Sequence, residues 1–286
     1  MYRPYYLLQK NVDHKDIAVD DLFCSTGYNE AKARLDYMKD KGGLVLLSGR
    51  SGVGKTTLLR SFAESLDAKS FKIAYAPLST VSVSDFYRQL AYLLSGQTLY
   101  RKDILFRTIQ QAIMDMAINK KIIPIIILDD AHFLKNENFF ELQILSNFNF
   151  DSLSPALFVL IAQPHLQERL RRPVFDSFYQ RISIQINLQP FSCQETRDFI
   201  VQLLKNAAGI GNGTGTGTAS TAGNSNSRYA RYENLFTPTA CELIFKRSGG
   251  LPRLITKIME KALIYGSAHQ LDTLDENVIY QIEPEL

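Results

Sequence analysis

Apolar residues in this chain gather in two patterns. Five short, strongly apolar runs stand out: GLVLLS (43–48), FKIAYAP (71–77), IIPIIIL (122–128), ALFVLIA (156–162) and ISIQINL (182–188). Runs of this length read as strands, the most continuous of them buried on both faces as in a parallel sheet. Between them apolar positions recur at helical spacing, as with Ala31, Leu35 and Met38 in YNEAKARLDYMKD (28–40). Further helices are predicted over 55–66, 84–94, 103–118, 136–147 and 165–170. Strands alternating with helices predict an α/β fold with a parallel, doubly wound sheet.

After Phe191 the strand pattern stops. Helical periodicity continues over 193–206, 238–248, 252–266 and 276–282, so a domain boundary is expected near residue 190. Residues 1–27 read as an irregular entry segment, residues 28–190 as the α/β domain and residues 191–286 as a helical domain. Inside the helical part lies GIGNGTGTGTASTAGNSNS (209–227), which has no charged and no aromatic residue. Such a stretch buries too little surface to offset its ordering entropy and is expected to be a flexible loop.

The third strand runs straight into two carboxylates, Asp129 and Asp130. Charge at the tip of a buried strand is costly unless paired or bound to metal. The sequence GRSGVGKT (49–56) supplies the reason, because it matches G-x-x-x-x-G-K-[ST] in full between a strand and an amphipathic helix. In such a P-loop the backbone N–H groups wrap a triphosphate at the positive end of a helix. Gly49, Ser51, Gly52, Val53, Gly54, Lys55, Thr56 and Thr57 therefore form the expected ATP cradle. Lys55 is expected to reach the outer phosphates, with Thr56 and Asp129 holding Mg²⁺; the strand carrying Asp129 is expected beside the P-loop strand. Asp130 then faces the γ-phosphate, where a carboxylate can orient or deprotonate water. The alternative is a capping or loop carboxylate. His132 reads as a neighbour of the site.

Composition narrows little else. The 286 residues are 45% hydrophobic and 21% charged, with a net charge of +3, which permits nucleic-acid binding without requiring it. Cys24, Cys193 and Cys241 show no paired or metal-type spacing and read as reduced thiols. No signal peptide opens the chain, and no run is long enough to span a bilayer, so a soluble cytoplasmic protein without a membrane partner is expected.

The motifs, in this order, resemble the AAA+ ATPases, and most closely the ExeA-like branch. That branch is shared by secretion-pathway ATPases and by transposition helpers of the TnsC, TniB and IstB kind. LDDAHFL (128–134), LQILSNFNFDSLSPALFVLIAQPHLQERLRRP (142–173), FYQRISIQINLQPFSCQETRDFI (178–200) and LFTPTACELIFKRSGGLPRLITKIMEKALIYG (235–266) carry the likeness. It implies a P-loop NTPase core with a five-stranded parallel sheet, followed by a small helical lid domain. It also implies that Gln163 occupies the sensor-1 place, that Arg181 is an arginine finger offered to a neighbouring subunit, and that Arg253 is the sensor-2 arginine. Arg169, Arg171 and Arg172 are rival fingers, and a surface salt bridge is the alternative for each arginine. The branch usually has Glu where this chain has Asp130, which is one methylene shorter. A reach shortened by about 1 Å can cost roughly a hundredfold in rate, so slow hydrolysis is expected.

What such an ATPase acts on divides into three readings. Secretion members of the branch continue into a membrane span and a cell-wall-binding domain, whereas this sequence ends at Leu286, after the lid. That favours a DNA-binding assembly protein, forming an ATP-dependent ring or filament and recruiting a transposase or other transposition proteins. The alternatives are a secretion-pathway ATPase and a signalling NTPase without DNA. The resemblance places duplex DNA against the stretches at 79–85 and 96–103, where Thr98, Tyr100, Arg101 and Lys102 suit phosphate contacts. A solvated loop with ordinary charges is the other reading.

Overall fold

The structure is a computed structural model and describes residues 2–12, 17–77, 82–210 and 230–282. The expected loop from residue 211 onward, and residues 79–81 of the first proposed DNA stretch, lie outside the described residues. Contacts divide the chain into two compact units. One comprises Thr26–Ser51 and Lys55–Gln189; the other comprises Met1–Ser25, Gly52–Gly54 and Pro190–Leu286.

The first unit is built on five strands: β1 (Gly43–Gly49), β2 (Phe71–Pro77), β3 (Ile123–Asp129), β4 (Leu157–Ala162) and β5 (Ile182–Leu188). They pair in the order β2-β3-β4-β1-β5, and every pair is parallel. In chain order the helices are α1 (Tyr2–Tyr5), α2 (Thr26–Lys41), α3 (Lys55–Glu64), α4 (Val83–Ser95), α5 (Lys102–Met114) and α6 (Asn136–Leu145). They continue as α7 (Pro164–Leu170), α8 (Asp176–Tyr179), α9 (Cys193–Ala207), α10 (Pro238–Ser248), α11 (Pro252–Ala268) and α12 (Glu276–Gln281).

The strand order corrects one expectation. β3, which carries Asp129, does not lie beside the P-loop strand β1, because β4 stands between them. The burial of each strand gives the reason. LFVLIA of β4 is buried at every position and fits the middle of the sheet, where both faces are covered. β2 alternates, exposing Ile73 and Tyr75, and accordingly takes an edge. Phe86, Tyr87 and Leu90 of α4, Leu105, Ile109 and Ile113 of α5, and Phe139 and Leu142 of α6 join the sheet residues in one core. Each such side chain contributes on the order of 1.5–3 kcal/mol relative to exposure.

The helix expected over 103–118 is α-helical only to Met114. Asp115–Asn119 form a π turn in which Lys120 N donates to Asp115 O (3.1 Å), and Ile122 N then donates to Met116 O (2.8 Å). The widened turn keeps Met116 buried while the chain turns into β3.

In the helical unit, α9 begins with a capping box. Ser192 Oγ accepts from Glu195 N, and the Glu195 carboxylate accepts from Ser192 N. Tyr2, Tyr6, Leu8 and Val12 are buried in one cluster with residues of α9, α10, α11 and α12. Tyr6 Oη donates to Leu271 O (3.0 Å), while the N–H groups of Gln9 and Lys10 both donate to Ala207 O (2.8 and 2.9 Å). The opening residues, largely irregular beyond α1, are therefore part of this core rather than a separate entry segment. Scattered aromatics without periodicity gave no sign of it.

Gly250 closes the helical unit against the residue that leads into α9. Its φ is +72°, its carbonyl accepts from Phe191 N (2.9 Å), and a Cβ there would lie 2.1 Å from Phe191 O. Gly250→Ala is expected to destabilise the protein by more than about 1 kcal/mol, through strain and forced separation of Phe191. Urea unfolding monitored by circular dichroism checks this.

Candidate nucleotide-hydrolysis site

β1 delivers the buried Gly49 to the P-loop, and α3 opens at Lys55. Gly52 (φ +81°) and Gly54 (φ +104°) take backbone conformations that side chains disfavour. A Cβ on Gly54 would meet nothing within 4 Å. The Lys55 ammonium curls into its own loop, donating to Gly49 O (2.8 Å) and Arg50 O (3.0 Å). Ser51 and Thr56 are exposed, Thr57 is half-buried and Val53 is buried. Within the helical unit, Arg253 lies in the first turn of α11, and its N–H donates to Gly52 O (3.3 Å).

Sheet order sets the rest. β1, β4 and β3 run side by side with Ser48 opposite Ala162 and Leu128 opposite Leu160. The sheet edge that bears Gly49 therefore also bears Gln163 and Asp129. At Asp129 both carboxylate oxygens are engaged: Oδ1 accepts from Asp130 N (2.8 Å) and Oδ2 from Tyr75 Oη (2.6 Å). Tyr75 comes from β2, two residues before Pro77, which sits opposite Asp129. Burial, then the bond to Asp129, raises the pKa of this phenol. Tyr75 was missed in the sequence, where it reads only as an aromatic within a strand. The available signal was its place two residues from the end of a strand feeding the same sheet edge.

Among the described residues no group of three or more His, Cys, Asp or Glu side chains could enclose a metal ion. One carboxylate and one hydroxyl suit Mg²⁺, which commonly takes one or two carboxylates and completes its shell with water and phosphate oxygens. Asp129 and Thr56 fit that role by their chemistry.

Asp130 adopts a left-handed conformation (φ +53°, ψ +34°) uncommon outside glycine and best tolerated by Asn and Asp. Its carbonyl accepts from Phe133 N (2.9 Å), starting a tight turn over Ala131–Phe133, but its carboxylate makes no capping hydrogen bond and stays exposed. The strained residue thus turns its carboxylate toward solvent. His132 goes the other way and is buried. Its Nε2 lies 3.3 Å from Gln163 Nε2, and its Nδ1 lies 3.8 Å from Asp130 Oδ1. Desolvation lowers its pKa, opposed by Asp130 and assisted by His165 and Lys55.

Arg181 directly precedes β5, at the sheet edge opposite the P-loop. It pairs with Asp151 (2.8 Å), and it is not brought together with Lys55, Asp129 and Gln163 of its own chain. Among its rivals, Arg169 donates to His132 O (3.4 Å) and stacks over Phe139, its guanidinium 5.2 Å from the ring centre. Arg171 and Arg172 are exposed, and Arg171 hydrogen-bonds Tyr179, lowering that phenol's pKa. In the proposed DNA stretch Thr98 is exposed, Arg101 is paired with Asp103 (3.0 Å), and Lys102 with Glu141 (2.5 Å). The sequence reading did not foresee Glu141, which is 39 residues away and arrives on α6.

A family model described as "AAA domain" matches residues 38–170. General secretion pathway protein A of Aeromonas hydrophila is 31% identical over 249 residues, covering 85% of this chain and 41% of that protein. The chain has the P-loop AAA+ fold, with an AAA domain over residues 38–170, and is similar to this secretion-pathway protein. It spans about two fifths of that curated relative's length, so where the sequence ends does not discriminate between pathways. The AAA+ fold is shared with Drosophila ORC bound to DNA (TM-score 0.61, 15% identity, 98% of this chain and 63% of that one). It is shared also with the Aeropyrum pernix ORC2 protein in ADPNP–ADP complexes (TM-score 0.62, 17% identity, 97% and 72%). At these identities the likeness is one of fold. No described helix is long and apolar enough to cross a membrane.

The bond between Tyr75 and Asp129 gives a stability prediction. Tyr75→Phe should lower unfolding stability by about 1 kcal/mol near neutral pH, the usual worth of a partly exposed hydrogen bond. Since the folded state raises the phenol's pKa above its unfolded value of about 10, this contribution is complete below that value and is lost as pH rises. The difference between parent and variant in urea midpoints should therefore shrink above pH 10.

Proposed function

We propose that this AAA+ ATPase binds Mg–ATP at the P-loop and hydrolyses it most effectively when assembled with copies of itself. The observation that carries the reading is the alignment of Gly49, Gln163 and Asp129 at one edge of the sheet, with Asp130 next in the chain. The backbone of residues 49–54 and the N-terminus of α3 hold the phosphates, while Lys55 exchanges its carbonyl partners for phosphate oxygens. Thr56 and Asp129 would hold a Mg²⁺ ion, which when bound would supply charge neutralisation at the phosphates. Asp130 accepts a proton from, or orients, the attacking water, and Gln163 fixes that water's position. Arg253, whose N–H already donates to Gly52 O, contacts phosphate at that turn of the loop. Arg181, directed away from its own site, completes a neighbour's, which makes hydrolysis depend on assembly.

For the pathway, the relative named for general secretion supports a secretion-type role as the first reading. The transposition role loses the argument from the end of the chain, and no other observation favours a transposase partner. Duplex DNA remains as a second reading, carried by the run Gln97–Arg101, in which Tyr100 and the Arg101 side chain are about three quarters exposed. The ion pairs at Arg101 and Lys102 must open for phosphate to bind there.

Lys55→Ala should abolish nucleotide binding or all turnover. Asp130→Asn should retain binding and lose at least about a hundredfold in turnover, as expected for a general base. Isothermal titration and phosphate release measure both, and turnover per subunit should rise with protein concentration. Parent-like turnover in Asp130→Asn would remove Asp130 from the chemistry. For DNA, fluorescence anisotropy of a labelled duplex with ATP, ADP or no nucleotide separates the two pathway readings. The DNA reading expects ATP-dependent binding that weakens steeply with salt and falls in the Arg101→Ala/Lys102→Ala variant. Absence of ATP-dependent binding at low salt would remove the DNA reading and leave the secretion-type ATPase and the signalling NTPase.

A further inference from the structure

His132 read in the sequence as a neighbour of the site, but its surroundings give it a task. Its side chain is 3% exposed, and Nδ1 has no hydrogen-bond partner, a costly state for a buried polar atom. The ring is fixed on several sides. Phe133 lies against it (ring centres 4.1 Å apart), His165 meets it edge-on (5.2 Å), and Arg169 holds its backbone carbonyl (3.4 Å). Gln163 approaches Nε2 with its amide nitrogen, which can only donate, so Nε2 must be the acceptor. In a neutral imidazole the proton then resides on Nδ1. That N–H looks toward Asp130 Oδ1 at 3.8 Å, slightly beyond hydrogen-bond length, and the Asp130 side chain is exposed and can rotate to meet it.

We propose that His132 is a positioning residue that links Gln163 to Asp130. Gln163 donates to Nε2 and thereby fixes the tautomer, and Nδ1–H orients one oxygen of Asp130, leaving the other for water. This deepens the function proposed above and rests on Asp130 being the catalytic carboxylate. It also answers the short reach of Asp130. A buried donor limits the rotation of its carboxylate, so a shorter side chain is aimed where a longer one would be free.

The test uses five variants of the full chain and two kinds of readout. His132→Ala should lower kcat about tenfold, a loss of positioning, with nucleotide affinity and KM unchanged. His132→Asn, which places an amide donor near the Nδ1 position, should recover most of that loss. Gln163→Ala combined with His132→Ala should lose less than the product of the two single effects, because both act on one chain of bonds. Independently of turnover, ¹⁵N spectra of histidine-labelled protein should show His132 as the Nδ1–H tautomer, and Gln163→Ala should disturb that signature. Parent-like kcat in His132→Ala, alongside an inactive Asp130→Asn, would overturn the inference and spare the proposed function. An active Asp130→Asn would overturn both. An Nε2–H tautomer in the parent, or a His132→Ala loss that His132→Asn does not recover and that comes with weakened nucleotide binding, would also overturn it.

Discussion

Everything in the candidate site depends on the parallel pairing of β4 with β1 on one side and β3 on the other. Parallel strands run in one direction, so three paired strands bring their last residues to the same end of the sheet. Gly49 is level with Gln163 and Asp129 with Ile161, and all three reach that end because Leu157–Ala162 is apolar enough to be buried throughout. A polar residue facing either side of β4 would disturb the core and the spacing between phosphate cradle and carboxylates together. The chemistry is thus held in place by side chains that never touch it.

This arrangement also explains what the sequence disclosed and what it withheld. Strands and helices were legible because their apolar periods are strong, and the P-loop because its glycines and lysine have fixed spacing with no remote partner. The order of strands was not legible, since apolar runs say that a strand is buried but not between which neighbours. Tyr75 and Glu141 were missed for the same cause. Tyr75 is 54 residues from Asp129, and Glu141 is 39 from Lys102, and only the folded sheet brings each pair together. Cations at 101 and 102 looked available for phosphate, when in the folded chain each already has a carboxylate. Arg169 looked like Arg171 and Arg172 until aromatic rings and the His132 carbonyl engaged it.

The turn after β3 concentrates the unusual features of the molecule. Within four residues it holds a carboxylate with both oxygens engaged, a left-handed Asp and a buried histidine lacking one bond. Strain and unmet hydrogen bonding of this kind persist only where the surrounding structure enforces them. Here the enforcing parts are the buried strand behind the turn, Phe133 and His165 around the ring, and the Gln163 amide. By contrast, the left-handed residues Asn149, Phe150 and Asp151 lie in an exposed turn whose link to the rest is the Asp151 bond to Arg181.

The packing of Tyr2, Tyr6, Leu8 and Val12 into the helical unit bears on how this protein can be divided. The stretch recognisable by family likeness starts at residue 38, and the pattern-based boundary of the helical part lies near residue 190. Neither limit respects the hydrophobic cluster, which draws on both ends of the sequence. A fragment beginning at residue 191 would keep every helix from α9 to α12 and still present a raw apolar face, because the aromatics that cover it are encoded nearly two hundred residues earlier. A self-sufficient helical unit must therefore include residues 2–12 together with the helices that follow residue 190.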